Sequence, residues 1–450
     1  MKSSFLSDLL GEISERGRRL IRANREAATP EEIAKLADAL ISGRGEASGV
    51  AIAHQILNCY ATLDAEGKRR FFETLAVDYG TDHQALDAAA KTYLDGGSPE
   101  AIAALHAAAE PRRQELIRRL NLAPGGTAAL VAMRADLTRL VPEAPALKAV
   151  DADFEHLFAA WFNRGFLVLR HIDWDTPASI LERIVRYEAV HQIRDWNDLR
   201  NRIDRPDRRL YAFFHPNLVD EPLIFVEVAL SGEMPEAIAP ILSRQRTPTD
   251  PQEATTAAFY SISNCQTGLR GISFGSFLIK QVIEELTREF PALKNFVTLS
   301  PVPSFMYWLK QEQASETPIL TKADRKALDA LAAPGWHEEP SAQEELKKVL
   351  LPLAAHFFLR AKGYNGRPID PVARFHLGNG ARLERINWLG DVSAKGLAQS
   401  GGLMVNYLYV LKEIEKNHEA YANDGKVVAA NAIRKLLRGQ AAPAEPMSAE

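Results

Sequence analysis

The chain has 450 residues, 46% of them hydrophobic and 25% charged, and a formal net charge of −4. That length is more than one hydrophobic core serves, so two domains are expected, and the ordinary composition excludes a fibrous or disordered class. The near-neutral charge supplies no global field for a nucleic acid or an anionic membrane, and no apolar run reaches the ~18 residues of a membrane-spanning helix. Cys59 and Cys265, the two cysteines, have no Cys or His at metal-ligand spacing, so neither a disulfide framework nor a zinc site is expected and a reducing, cytoplasmic setting fits.

The N-terminal stretch is amphipathic and Arg-rich, but Asp8, Glu12 and Glu15 are wrong for a transit peptide, so it reads as a first helix. Helices are then expected at 30–42, 47–60, 64–78, 84–95, 98–120 and 127–141, where Ala, Leu, Glu and Arg dominate. Gly43, Gly45, the Gly96-Gly97-Ser98-Pro99 run and Pro124-Gly125-Gly126 punctuate them. Pro142 and Pro145 mark a linker, because proline lacks an amide donor and restricts its predecessor. The expected domains are therefore a helical bundle at 1–145, a second domain at 146–438 and a polar, Pro-containing, disordered tail at 439–450.

Beyond residue 145, short β-rich runs alternate with helices. Strands are expected at 165–172, 209–215, 222–230, 258–264 and 295–300, with a hairpin turn between the second and third and a loop at 243–253. The nearly unbroken apolar run at 223–230 suits a strand covered on both faces. Residues 276–290 carry an apolar stripe, Leu278, Val282, Leu286 and Phe290, with Ile279 and Ile283 beside it, which predicts a helix. The strands on either side of that helix should be parallel neighbours, since parallel strands need such a crossover. The fold class is thus multi-domain, an all-α bundle followed by a mixed α/β sheet domain.

One stretch carries chemistry. Residues 259–286 read strand, glycine-bearing turn, amphipathic helix, and the turn runs Arg270, Gly271, Ile272, Ser273, Phe274, Gly275, Ser276. Bare glycine backbone and the amides at a helix start suit a diphosphate. By itself such a turn is merely a turn; its pattern resembles the coenzyme-A loop of the acetyltransferase superfamily, with Ser273 where the first glycine is usual. In NFVTLS, alternation places Phe296, Thr298 and Ser300 on one face, so Ser300 can project from a strand end. A serine before proline otherwise just caps the next segment, and a lone histidine in an Arg-Phe-His-Leu run, His376, is otherwise a structural residue.

These blocks occur together in one order: the 259–286 stretch, Thr298 to Phe305, FHLGNGARLERINWLGDVS at 375–393 and SGGLMVNYLYVL at 400–411. With Tyr187-Glu188-Ala189-Val190-His191, Trp196 and the RRLYAFFH run upstream, residues 150 to 415 resemble malonyl-CoA decarboxylases. The resemblance implies a helical oligomerisation domain and an acetyltransferase-like (GNAT-like) catalytic domain in a homotetramer. It implies conversion of malonyl-CoA to acetyl-CoA and carbon dioxide without metal or organic cofactor. It carries over an acyl-CoA loop at Arg270 to Ser276, an active-site Ser300 described as a proton acceptor and a proton-donating His376, with Ser300 and His376 also contacting the acyl group. Ser300 orienting the leaving carboxylate stays open. Asn406, Tyr407 and Tyr409 read as core, and His215 as a structural histidine. Two other readings remain: an acyltransferase that moves an acyl group to an amine, and a non-catalytic acyl-CoA-binding protein.

Overall fold

The computed structural model describes residues 29–42, 46–272, 277–315, 318–363 and 366–437. The first helix expected near the N-terminus and the tail at 439–450 lie outside the described residues. The chain forms two compact units: Met1–Val168 with Phe214–Leu223 and Cys265–Phe274, and Leu169–Phe213 with Ile224–Asn264 and Gly275–Glu450.

The first unit is built of helices. Pro30–Ile41 starts on a capping box in which Thr29 and Glu32 exchange side-chain and backbone hydrogen bonds, and Asp64, Asp82 and Ser98 cap the helices that come after them. Glu46–Thr62, Ala65–Val77 and Gly126–Leu140 match the expected segments. The single helix expected at 98–120 is two, Pro99–Ala109 and Arg112–Asn121. Pro111 cannot donate to the helix ladder, and Glu110 before it is extended (φ −70°, ψ 124°), so the chain turns there. Past the Pro142 to Pro145 segment another helix, Lys148–Trp161, belongs to the same unit. Leu116, Ile117, Leu130, Leu137, Phe154 and Phe158 are almost wholly buried in its core. Arg113 and Asp153 pair inside it at 2.5 Å, and Gln114 donates to the second carboxylate oxygen at 2.6 Å, so the buried charges are matched.

The second unit centres on the mixed sheet expected from the sequence. Its strands are β1 (Val168–Ile172), β2 (Arg208–Phe214), β3 (Pro222–Ser231), β4 (Thr256–Asn264), β5 (Asn295–Thr298), β6 (Ser300–Pro301), β7 (Arg382–Asn387) and β8 (Met404–Leu408), in the order β1-β2-β3-β4-β5-β8-β6 with β7 on β8. β4 and β5 are parallel and are joined through the helix Phe277–Glu289, as the pattern predicted. Its stripe residues Leu278, Val282, Leu286 and Phe290 are buried. β3 is buried along nearly its whole length, as its apolar run implies.

Two irregularities interrupt the sheet around β4. That strand carries one extra residue against β3: Glu227 faces Ser261 and Val228 faces Phe259, leaving Tyr260 between them. Such a bulge bends a strand and re-aims its side chains. On the other edge, the register of β4 with β5 stops at Phe259 opposite Thr298, with one further bond from the Leu299 amide to the Phe259 carbonyl. Beyond that point β4 continues to Asn264 paired with β3 only, while Ser300 and Pro301 pair instead with Val405 and Met404 of β8. The sheet forks between β4 and β6.

Candidate active site

A cavity of about 230 Å³ opens in the fork. Phe259, Tyr260, Ile262 and Asn264 of β4 line one side and Leu299, Ser300 and Pro301 another. Pro371, Val372, Phe375 and His376 of the helix Pro371–Gly378 and the lone Val190 complete it. The bulge explains why the neighbours Phe259 and Tyr260 both reach it, since a regular strand turns adjacent side chains to opposite faces.

Ser300 and His376, 76 residues apart in sequence, meet here: Ser300 Oγ lies 3.2 Å from His376 Nε2. The Ser300 hydroxyl also donates to Thr298 Oγ1 at 2.8 Å, which confirms that Thr298 and Ser300 share a face. Thr298 Oγ1 in turn accepts the Tyr407 amide at 3.2 Å. On the far side of the imidazole, Nδ1 lies 2.8 Å from the Tyr409 hydroxyl, and the Tyr407 ring stacks on it with centroids 4.7 Å apart. The result is a chain Tyr409, His376, Ser300, Thr298, every member buried.

Sequence explains how the histidine is aimed. Asp370 precedes Pro371, and its carboxylate accepts the amides of Val372 and Ala373 at 2.9 and 3.0 Å, starting a helix whose sixth residue is His376. Its other oxygen accepts the Ser304 amide at 3.2 Å, tying that start to the segment after β6. Asn406 braces the opposite side: it donates to the carbonyl of Thr298 at 2.8 Å and accepts from Asn387 at 2.9 Å.

Burial sets the electrostatics. His376 is 3% exposed, and desolvation pushes its pKa down to about 3, so the ring is neutral at physiological pH. Desolvation also holds the hydroxyls of Tyr407 and Tyr409 well above the usual phenol range. Asp370 is raised by burial, which the three amides it accepts oppose. The Ser300 hydroxyl donates to Thr298, so a neutral imidazole bonded to Ser300 Oγ carries its proton on Nε2, which leaves Nδ1 to accept from Tyr409.

Ser273, Phe274, Gly275 and Ser276 lie outside the described residues. Arg270, Gly271 and Ile272 belong to the first unit, where buried Arg134 donates to the carbonyls of Gly268 and Arg270, at 2.9 Å each. Arg134 is held by Asp151 and Glu155 at 2.8 and 2.7 Å. Gly271 adopts φ +88°, which a glycine takes readily. His215 accepts the Asn217 amide at 3.2 Å, lies 3.1 Å from the Trp161 carbonyl and packs on Phe162, a structural role as read. Tyr409 and Tyr407, set aside as core aromatics, are core and also flank the imidazole. Their two-residue spacing in NYLY carried no sign of that.

The second unit is thus a mixed sheet that carries a buried Ser-His pair in the wall of a largely apolar cavity. The family model for the malonyl-CoA decarboxylase C-terminal domain matches residues 165–447, and that for the N-terminal domain matches residues 79–162. Mitochondrial malonyl-CoA decarboxylase of the goose Anser anser anser is 32% identical over 422 residues, covering 85% of this chain and 82% of that protein. The Mus musculus enzyme is 33% identical, covering 83% and 82%. The crystal structure of malonyl-CoA decarboxylase from Rhodopseudomonas palustris is similar with a TM-score of 0.88 and 57% identity, over 90% of this chain and 99% of that one. The structure from Agrobacterium vitis gives a TM-score of 0.87 and 53% identity, over 91% and 100%. The chain belongs to the malonyl-CoA decarboxylase family.

Proposed function

We propose that this chain decarboxylates malonyl-CoA to acetyl-CoA, with the thioester lying beside Ser300 and His376. The observation that carries the reading is the 3.2 Å approach of Ser300 Oγ to His376 Nε2 in the wall of a mostly apolar cavity. When the bond between the carboxylate carbon and carbon 2 breaks, carbon dioxide leaves and its electron pair moves onto carbon 2 and the thioester oxygen. Donors preorganised toward the enolate oxygen stabilise the charge that develops, about two to three powers of ten in rate for one such donor.

His376 presents the Nε2 proton for this purpose, and Tyr409 on Nδ1 keeps the ring in that tautomer. A proton delivered to carbon 2 completes acetyl-CoA, so each turnover consumes one proton and needs no redox partner. Assigning the donation to His376 and the partnering role to Ser300 follows the family, as does binding of the diphosphate by the loop Arg270 to Ser276. Metal-free chemistry is part of the same proposal. So are a homo-oligomer, a homotetramer by family resemblance, and a cytoplasmic location that cell fractionation checks; among the described residues no helix is long and apolar enough to cross a membrane.

The test is incubation with malonyl-CoA and no acceptor. Release of carbon dioxide and acetyl-CoA is expected, and Ser300→Ala and His376→Asn should each lower turnover by at least about a hundredfold in a folded protein. Turnover only when an amine acceptor is supplied would favour acyl transfer, and binding without turnover a non-catalytic role.

A further inference from the structure

Three walls of the cavity are set by backbone ladders: β4, the Leu299 to Pro301 stretch and the helix Pro371–Gly378. The fourth is one half-buried side chain, Val190, on the turn of residues 188–191. That turn has no strand partner and is held by side chains instead. The buried Glu188 carboxylate accepts the amides of Val190 and His191 at 2.8 and 2.7 Å. The same carboxylate accepts from the hydroxyls of Ser261 and Ser263 on β4, at 2.8 and 3.1 Å. From the other direction, Lys395 Nζ donates to the carbonyls of Ala189 and Val190 at 2.8 and 3.0 Å.

Ser261 and Ser263 follow Phe259, the last residue of β4 in register with β5. Glu188 therefore pins the turn to the part of β4 that runs beyond its pairing with β5, and Val190 is held at the fork. Carbon 2 of a malonyl thioester lies between the carboxylate that leaves and the carbonyl that takes up charge. Both of those groups need the polar side of the cavity, at Ser300 and His376. A substituent on carbon 2 must then turn to the apolar side, where Val190 can be enlarged or reduced without cutting a ladder.

We propose that Val190 determines the size of the carbon-2 substituent the cavity admits, with Glu188 and Lys395 as positioning residues that hold it there. The inference rests on the decarboxylase reading and deepens it. A hydrophobic pocket discriminates one methylene by about 10- to 200-fold in kcat/KM. Val190→Ala should accordingly raise the kcat/KM ratio of methylmalonyl-CoA to malonyl-CoA by at least about tenfold, and that of ethylmalonyl-CoA by more.

The experiment measures carbon dioxide release by the full chain from malonyl-CoA, methylmalonyl-CoA and ethylmalonyl-CoA, for the wild type, Val190→Ala, Val190→Leu and Lys395→Met. Val190→Leu should lower both ratios, and Lys395→Met should shift them as Val190→Ala does, by less. The proposal is overturned if both Val190 variants turn over malonyl-CoA with ratios within about twofold of wild type, because a contacting methyl must change them more than that. Loss of all three activities in a folded Val190→Ala protein overturns it equally. A wild type inactive on all three substrates would instead remove the decarboxylase reading itself.

Discussion

Lowering the pH should destabilise this protein in part through His376, by an amount that depends on how completely its ring is desolvated. The folded-state pKa is lowered by burial to about 3, against 6.5 for the free side chain. Below pH 6.5 the unfolded chain takes up a proton that the folded one refuses. Stability is therefore intact above that pH and is lost as the pH falls toward 3. At pH 5 the difference is 1.5 pH units below the unfolded value, or about 2 kcal/mol at 1.36 kcal/mol per unit.

His191, lowered to about 4 chiefly by burial, contributes in the same direction, so the wild-type curve alone is not diagnostic. The informative quantity is the stability difference between the wild type and His376→Gln, followed by urea denaturation at pH 7, 6 and 5. Glutamine does not titrate, so the variant should gain on the wild type by about 2 kcal/mol between pH 7 and pH 5. A difference that stays constant over that range would show that the ring protonates in the folded state, and the neutral Nε2 donor would have to be given up. Kinetics provide a parallel check: the acid limb of kcat/KM should lie below pH 5 rather than near 6.5.

Four further outcomes are expected from the geometry. Tyr409→Phe removes the hydroxyl 2.8 Å from Nδ1 and leaves a buried nitrogen unpaired, a cost of about 1–3 kcal/mol. In steady-state kinetics it should lower kcat about 10- to 100-fold with a smaller change in KM, and an unchanged kcat would refute its role in holding the tautomer. Gly268→Ala would place a Cβ 1.8 Å from the Val131 carbonyl oxygen, so backbone must move. Destabilisation of about 1–3 kcal/mol should appear in thermal unfolding, and an unaltered midpoint would contradict the close packing. Extensive dialysis against EDTA should leave malonyl-CoA turnover unchanged; loss of activity restored by a divalent cation would end the metal-free proposal. The helix His83–Gly96 buries none of its side chains, and Leu94 and Ile102 are 81% and 52% exposed. If the proposed homo-oligomer forms through this face, Leu94→Glu with Ile102→Glu should reduce its mass in light scattering, while an oligomer of unaltered mass would place self-association elsewhere.

Much of the fold was legible because its signals are local. The Ser98-Pro99 pair announces a helix start within a few residues, and the stripe from Leu278 to Phe290 announces a helix and with it a parallel crossover. The break at Pro111 was missed, because the composition of 98–120 argued for one helix; the missing amide outweighs propensity. Ser300 and His376 were reached through the ordered blocks of the family, since nothing in spacing joins two residues 76 positions apart.

What only the tertiary structure decided depends on strand register and on side chains that cross the fold. β8 takes β6 where β4 would have continued beside it, and that exchange creates the cavity. The bulge at Tyr260 turns two consecutive side chains into it, and Glu188 with Lys395 swings Val190 across its side. Tyr409 becomes a partner of the imidazole only because β8 lies beside the strand bearing Ser300. Sequence periodicity states which face a residue shows to its own helix or strand, but not which neighbour that face meets, because the free energy of register is summed over contacts distant in the chain.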